Sequence, residues 1–311
     1  MKRRFAWLAA AFAFAPAAHG QTTAAYAPLA LNVACGELFD PVCARVLPKL
    51  AARTGQAGLT LAAVQSGGAL DTVAVVCAGQ VAAAIAPRDA IARLSRQPNC
   101  QGRYDIVGPT LYPLYALLVV KAGGPFRQLD DLTRDGRHAA IAAGEEASGG
   151  QVTLGFLMRA DPQRRDEMTV TDDDFTAAAA RIDDGTIDGF FAMTSLADDL
   201  IDRVRLRVDA SGKPLYRFVE IRPPPELFRL GDGNGRCLYR LTALDFGGAE
   251  PVTTVSTDAV LMLGRVFRDA HARGGPRAAD ALASAVEASR AAILADMKSP
   301  GDWRPPATSC Q

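Results

Sequence analysis

The sequence has few of the residues that most often carry out catalysis or hold metals. Only three histidines occur in 311 residues, and the six cysteines form no Cys-x-x-Cys pair. The Gly-x-Ser-x-Gly elbow of hydrolases, the His-Glu-x-x-His motif of zinc proteases and the phosphate-binding P-loop do not occur either. The sequence therefore predicts a protein that is not an enzyme and that carries no cofactor, zinc ion or haem.

Net charge and positive clusters are also lacking. The 34 basic residues equal the 34 acidic ones, and no stretch concentrates lysine and arginine as a nucleic-acid-binding face does. After the N-terminus no apolar run is long enough to span a bilayer. These features exclude a nucleic-acid partner and favour a water-soluble chain.

The N-terminus is typical of an export signal. Residues 2–4 are basic, Phe5 to Phe14 form an apolar stretch, and small residues lead to Gly20. The apolar stretch is shorter than the roughly 20 residues of a membrane anchor, which is the alternative. Cys35 is the first cysteine, too far from the cleavage point for a lipid anchor. We expect a signal peptide over residues 1–20 and a periplasmic mature protein.

Strands alternate with helices along two stretches of the chain, which predicts parallel sheets with helical crossovers. The predicted strands cover residues 30–34, 59–64, 81–86, 104–107, 115–121, 139–142, 168–171, 186–192 and 252–263. We expect an α/β protein with two lobes of open, mostly parallel sheet, helices on both faces and a hinge of two crossings, near 109–114 and 208–222. Lobe 1 would comprise residues 21–112 plus 210–311, and lobe 2 residues 113–209.

Two polar stretches could suggest ion binding. The three aspartates at 172–174 precede a predicted helix, so capping of that helix is favoured over a metal site. The stretch 231–235, Gly-Asp-Gly-Asn-Gly, lacks the later glutamate of a calcium loop and is interpreted as a turn. We expect no metal in either place.

Several segments resemble type 2 periplasmic solute-binding proteins. The segments are residues 66–68 (Ser-Gly-Gly), 80–86 (QVAAAIA), 111–120 (LYPLYALLVV), 126–137 with Leu-Asp-Asp-Leu at 129–132, 144–150, and 184–191 (DGTIDGFF). Together they cover about residues 30–265. The subgroup that these segments resemble most is the TAXI type of receptor, which serves tripartite TRAP transporters. The sequence departs from that subgroup at 34–39, where a glycine-rich stretch is usual, and at Gly149-Gly150, which replaces Gly-Thr.

The resemblance implies a monomeric protein that captures a small anionic solute and delivers it to a TRAP-type membrane permease. Ligands in that family are often dicarboxylates or amino acids such as glutamate. A sensory module that presents its bound ligand to a membrane receptor is the alternative, and the sequence does not separate the two.

The candidate site lies where strands end and helices begin, because ligands of open parallel sheets bind there. Backbone N–H groups at such glycine- and serine-rich turns, together with the helix dipole, favour an anion. Arg88 is a candidate carboxylate clamp, with a surface arginine as the alternative. Tyr112 and Tyr115, which flank Pro113, either line the cleft or pack the hinge. Glu37 would instead favour a ligand with an amine. The predicted ligand-binding residues are Gly36, Glu37, Phe39, Ser66, Gly67, Gly68, Arg88, Tyr112, Tyr115, Ser148, Gly149 and Gly150.

The even number of cysteines in an exported chain predicts disulfides, with buried free thiols as the alternative. Cys77 ends a helix and Cys100 precedes a strand, so both belong to one edge of the sheet. Cys35 ends a strand near the helix that contains Cys43. The predicted pairs are Cys77–Cys100, Cys35–Cys43 and, for the remaining two cysteines, Cys237–Cys310.

Overall fold

The structure is a computed structural model, and it describes residues 29–36, 41–233, 235–247, 250–270 and 277–300. The predicted signal peptide, Glu37, Phe39 and Cys310 therefore lie outside the described residues. None of the helices in these ranges has the length and apolarity needed to cross a membrane.

Ten strands and ten α-helices form the described chain. The strands are β1 Leu29–Ala34, β2 Leu59–Val64, β3 Ala83–Pro87, β4 Tyr104–Lys121, β5 Ala139–Ala142, β6 Met168–Thr171, β7 Gly189–Thr194, β8 Tyr216–Val219, β9 Arg240–Leu244 and β10 Val252–Gly264. The helices are α1 Leu47–Thr54, α2 Gly68–Cys77, α3 Arg88–Leu94, α4 Gly149–Ala160, α5 Pro162–Asp166, α6 Phe175–Asp183, α7 Asp199–Arg205, α8 Pro225–Phe228, α9 Arg265–Arg268 and α10 Ala278–Asp296.

All ten strands belong to one mixed sheet. Its main order is β2-β1-β3-β10-β4-β7-β5-β6, with β8 pairing with β4 and β9 with β10. Strands β2, β1 and β3 are parallel to one another, and so are β7, β5 and β6. We call these the first and second parallel groups. The predicted α/β class with parallel strands is confirmed, and the antiparallel strands β10 and β4 join the two groups.

The two long strands cross between the parallel groups. The first part of β4 pairs with β10, from Tyr104 to Tyr115, and its last part pairs with β7 and β8. The first part of β10 pairs with β9, and the rest lies between β3 and β4. The chain therefore returns to the first group along β10. Strand β8 lies beside Leu118–Lys121, in the part of β4 that pairs with β7. The predicted lobe boundaries, with crossings near 109–114 and 208–222, stay predictions.

Helices cover both faces of the sheet because alternate side chains of each strand point to opposite faces. In β10, Val260 and Met262 pack in the cluster that contains α2 and α3, whereas Leu261 packs with α1 and α10. In β7, Phe191 packs with α4, and Phe190 packs with α6 and α7. Helices on both faces are therefore confirmed.

A buried carboxylate connects three segments that are distant in sequence. Asp89, at the start of α3, is fully buried and accepts hydrogen bonds from Thr153 Oγ1 of α4 at 2.6 Å and from the Tyr239 hydroxyl at 2.8 Å. The Ala90 backbone N–H donates to its other oxygen at 2.8 Å. This network holds α3 of the first group against α4 of the second.

The Asp89 network makes stability depend on pH. Burial raises the pKa of the Asp89 carboxyl above its usual value, although the bonds from Thr153 and Tyr239 partly oppose this. The folded state then binds this proton more tightly than the unfolded state does. The Asp89 contribution to stability is therefore greatest at or below the ordinary carboxyl pKa and is lost as pH rises through the raised value. As pH rises above the ordinary carboxyl pKa of about 4, the wild type should lose stability relative to the Asp89→Asn variant. Urea unfolding at a series of pH values measures this loss, and a pH-independent difference would contradict it.

Two of the predicted disulfides are present. Cys77 and Cys100 are bonded with their Cα atoms 4.8 Å apart, and Cys35 and Cys43 are bonded with theirs 5.4 Å apart. The first bond ties the end of α2 to the segment before β4, and the second ties the end of β1 to the turn of helix at Val42–Val46. The Cys237–Cys310 pair stays a prediction because Cys310 lies outside the described residues.

Candidate functional site

A cavity of about 380 Å³ lies between the two parallel groups. Cys35 and Pro87 line it at the carboxyl ends of β1 and β3, and Thr194 lines it at the end of β7. The first residues of α2 and α4, Gly68 and Gly149, face it as well. We call it the cleft cavity. It lies where open parallel sheets place their ligands, and its volume suits a small molecule.

Five of the predicted ligand-binding residues line the cleft cavity. Each comes from one of the turns that follow β1, β2 or β5, or from the middle of β4, and they are Gly36, Gly68, Tyr112, Ser148 and Gly149. Glycine has no side chain to keep a ligand from the backbone, and the predicted ligand contacts of these residues stay predictions. Glu37 and Phe39 lie outside the described residues, so their roles stay predictions.

The serines of the two loops mainly stabilise the loops. Ser66 is buried, and its Oγ accepts a hydrogen bond from the Gly36 N–H at 3.1 Å and shares another with Thr72 Oγ1 at 2.7 Å. Ser148 Oγ donates to the Ala143 carbonyl at 2.8 Å and accepts from the Gln151 N–H at 3.2 Å, which caps α4. Ser66 therefore has a positioning role in place of the predicted ligand contact, whereas the contact predicted for Ser148 stays a prediction. Ser148 lines the cavity with its hydroxyl already bonded to the backbone.

Gly67 does not line the cleft cavity. Its backbone N–H donates to Asp71 Oδ2 at 2.8 Å, which fixes the turn before α2. Three residues later, the Leu70 N–H donates to the Ala147 carbonyl at 3.0 Å. The start of α2 is therefore bonded directly to the loop before α4. Gly67 therefore shapes the site without lining it.

Arg88 is not the predicted carboxylate clamp. Its side chain is only 2% exposed, and Nη1 donates to Asp232 Oδ2 at 2.6 Å. Arg88 therefore forms a buried ion pair away from the cleft cavity, rather than a surface or ligand contact. The sequence could not indicate this because its partner lies 144 residues away.

Tyr115 and Gly150 are also corrected. Tyr115 is fully buried in a core cluster with Leu117, Ile201 and Leu244 and does not line the cavity, so it packs the crossing strand. Gly150 lies where α4 crosses the ends of the strands, and a Cβ there would be 2.6 Å from the Ala143 carbonyl oxygen. Its lack of a side chain serves helix–sheet packing instead of ligand approach.

Acidic side chains are the part of the site that sequence reasoning missed. Asp174 accepts from the Ala177 N–H and caps α6, as expected for the aspartate run, and Asp198 accepts from the Leu200 N–H and caps α7. Both also line the cleft cavity, together with Glu145 and Glu146 in the loop before α4. An acidic residue just after a β-strand was the available signal, because such residues lie at the ligand-binding edge.

The charges of the cleft cavity are unequal. Four carboxylates line it, whereas no arginine, lysine or histidine does so among the described residues. The remaining positive potential comes from the first turns of α2 and α4, which begin at Gly68 and Gly149 and carry the partial positive charge of a helix N-terminus. The cavity therefore combines a negative wall with two helix ends that favour a negative group. Nowhere in the described ranges do three or more His, Cys, Asp or Glu side chains group as metal ligands would.

No protein-family model and no curated protein matches the sequence. Solved structures are similar in fold. One is a putative L-cystine ABC transporter protein from Listeria monocytogenes, with a TM-score of 0.53 and 9% identity over 90% of this chain and 99% of that one. Another is a probable amino-acid ABC transporter extracellular-binding protein from Bacillus subtilis, with a TM-score of 0.52 and 10% identity over 88% and 99%.

A third similar structure is the GluR0 ligand-binding core in complex with L-glutamate, with a TM-score of 0.50 and 11% identity over 87% of this chain and 97% of that one. Identities this low show the fold and nothing finer. The similarity extends over nearly the whole length of each of the three structures. The chain therefore has the fold of the type 2 periplasmic solute-binding proteins.

Proposed function

We propose that this protein is an exported solute-binding protein that captures an amino acid or a related zwitterion in the cleft cavity and releases it unchanged to a membrane transporter. The observation that carries the proposal is the pair of opposed electrostatic features in one cavity. Four carboxylates line it, and the N-termini of α2 and α4 face the same space.

The carboxylates favour a ligand that bears an amine. Asp198 and Asp174 are fixed in place by the helices that they cap, and their remaining lone pairs can accept further hydrogen bonds from an ammonium group. A dicarboxylate without an amine would instead meet four like charges and no basic side chain in the described lining. Of the predicted anionic solutes, the proposal therefore retains the amino acids and drops the simple dicarboxylates.

The helix N-termini favour the carboxylate of the same ligand. Backbone N–H groups in the first turn of a helix bind anions because they lack partners within the helix. Gly68 and Gly149 have no side chain to hold a ligand away from these groups. A zwitterion can thus satisfy both sides of the cavity at once, whereas a simple cation or anion satisfies one.

The partner and the mode of delivery form the finer part of the proposal. Residues 1–20 would direct export to the periplasm, and the mature monomer would serve a TRAP-type permease, as its resemblance to TAXI receptors implies. The names of two similar structures refer to ABC transporters, which are the competing membrane partner. We propose two lobes that close around the solute, lobe 1 containing the first parallel group and lobe 2 the second, with β4 and β10 as the crossings.

A ligand panel tests the proposal. Zwitterionic amino acids such as glutamate, arginine, cystine and alanine are compared with succinate, which lacks an amine, and putrescine, which lacks a carboxylate. Because a ligand that binds the folded state stabilises it by mass action, at least one amino acid should raise the Tm in proportion to the logarithm of its concentration. Succinate and putrescine should not. Stabilisation by succinate alone would contradict the proposed charge selection.

Replacing the capping aspartates by asparagine removes their charge and keeps a helix cap. Asn is as good a helix N-cap as Asp, so Asp198→Asn and Asp174→Asn should fold while removing one negative charge each. We expect binding of the identified amino acid to weaken by about tenfold or more where a charge-assisted bond is lost. Asp161→Asn is the control, since Asp161 caps α5 outside the cavity. Equal calorimetric affinities for all three variants and the wild type would overturn this placement of the amine.

A further inference from the structure

A second pocket, on another side of the molecule, combines three arginines with an apolar floor. Its volume is about 370 Å³, and Arg93, Arg96 and Arg159 line it. Phe156 and Leu238, both buried, form part of its floor. It shares no lining residue with the cleft cavity. We call it the arginine pocket.

The three arginines come from both parts of the fold. Arg93 lies in the last turn of α3, and Arg96 follows two residues after that helix ends at Leu94. Arg159 lies in the last turn of α4. Each cation also offsets the negative end of its helix, but a helix C-terminus alone does not require three cations around one cavity.

Arg159 is held so that its outer nitrogens are available. Its guanidinium lies 4.1 Å from the centroid of the Phe156 ring, and its Nε donates to the Gly155 carbonyl at 3.2 Å. Burial lowers the pKa of Arg159, and repulsion from Arg93 and Arg96 lowers it further. Stacking on Phe156 and the bond from Nε therefore orient the Arg159 guanidinium. Its two outer nitrogens, Nη1 and Nη2, can still donate to an anion together.

The acidic groups near the pocket do not neutralise it. Glu226 is the acidic residue among the described lining, and it lies 3.7 Å from Arg229 in an ion pair. Asp232 lines the adjoining pocket that Arg96 shares, and it is paired with Arg88. The described lining thus has three positive side chains and one negative side chain, Glu226, which is also paired with Arg229. The excess positive charge of about two would be balanced by a ligand with two negative charges.

We propose that the arginine pocket binds a small organic dianion that carries an apolar group. The guanidinium groups bind the two charges, and the apolar part packs against Phe156 and Leu238. Such a ligand would bridge α3 and α4. It would thus stabilise the contact between these two helices, which the hydrogen bond from Thr153 to Asp89 also stabilises. The site is independent of the proposed amino-acid function, since the two cavities are separate.

The test uses phenyl phosphate and phthalate as probes, with inorganic phosphate, benzoate and benzylamine for comparison. We expect phenyl phosphate or phthalate to raise the Tm and to bind with one-to-one stoichiometry by calorimetry. Benzoate and inorganic phosphate should bind at least tenfold more weakly, and benzylamine should not bind. Affinity should fall as salt is added, because exposed charges are screened. Absence of binding by both dianions at millimolar concentration would overturn the proposal.

Three variants locate the binding. Arg93→Gln, Arg96→Gln and Arg159→Gln should each weaken dianion binding about fivefold or more, and the triple variant should abolish it. Arg53→Gln is the control, because this exposed arginine lies in α1 and lines a different pocket. All variants should retain the amino-acid binding of the wild type, which separates this test from that of the cleft cavity. Dianion affinity that is unchanged in the triple variant would show that the probe binds elsewhere.

Discussion

Replacing Arg88 by methionine is expected to lower the free energy of unfolding by about 3–5 kcal/mol. Methionine leaves the Asp232 carboxylate buried without its cation, and the side chain of Asp232 is only 2% exposed. Burial raises the pKa of the Asp258 carboxyl, and the charges of Arg240 and Arg88 partly oppose this, so Asp258 loses a favourable charge as well. Urea or guanidinium unfolding of the mature chain measures the loss.

Two further variants decide whether the buried pair is the cause. Arg88→Met combined with Asp232→Leu removes both charges and should be more stable than the sum of the two single losses implies. Arg265→Met removes an arginine that is 51% exposed and pairs with Asp105 at 3.2 Å, and it should cost less than about 1 kcal/mol. Additive losses in the double variant would contradict the coupling, and a loss in Arg88→Met no larger than in Arg265→Met would contradict the burial argument.

The Gly150→Ala substitution should lower the free energy of unfolding by about 1–3 kcal/mol. The added Cβ would be 2.6 Å from the Ala143 carbonyl oxygen and 2.8 Å from that of Phe191, and both are backbone atoms that cannot turn aside. To relieve the overlap α4 must move away from the sheet, which loosens the packing of Leu154 and Leu157. The expected loss is opposite in sign to the gain of about 1 kcal/mol that alanine gives in an ordinary helix.

The same helix provides the control. Gly155 is five residues further along α4, and a Cβ there would meet nothing within 4 Å. Gly155→Ala should therefore stabilise the protein by about 0.5–1 kcal/mol. Thermal and chemical unfolding of both variants gives the comparison. If the two substitutions had similar effects, the close contact between α4 and the strand ends would not limit stability.

Local patterns predicted the regular parts of the fold well. The boundaries of β2, β5 and β6 agree with those expected from runs of apolar residues between turns, residues 59–64, 139–142 and 168–171. By contrast, β4 was expected as two strands, 104–107 and 115–121, and the segment between them contains Gly108, Pro109 and Pro113, which are residues that usually interrupt strands. In the structure Gly108 takes a φ of 72°, and the pairing with β10 shifts register nearby, so the long strand bends there without ending.

The candidate site was predictable only where it depends on local sequence. The glycine turns after strands contain Gly36, Gly68 and Gly149, and all three line the cavity, because a turn signal lies within a few residues of the sequence. Asp174 and Asp198 cap their helices and also line the cavity. Only the capping role of the aspartates at 172–174 was predicted from the sequence, and no role was predicted for Asp198. The roles of Arg88 and Tyr115 depend on which distant segments pack against them, and this information appears only when the chain is folded.

The position of β10 determines how late in synthesis this protein can fold. Ala86 pairs with Val260, so the first parallel group acquires its neighbour in the sheet only from a strand that lies more than half the chain further on. A chain that ends before Val252 leaves one edge of β3 and the first part of β4 without partners, and open edges of this kind pair readily with other chains. Pairing between such distant segments is also slow, because a long loop must close first. The second parallel group can pair without β10, but the complete ten-stranded sheet can form only after residues 252–264 are present.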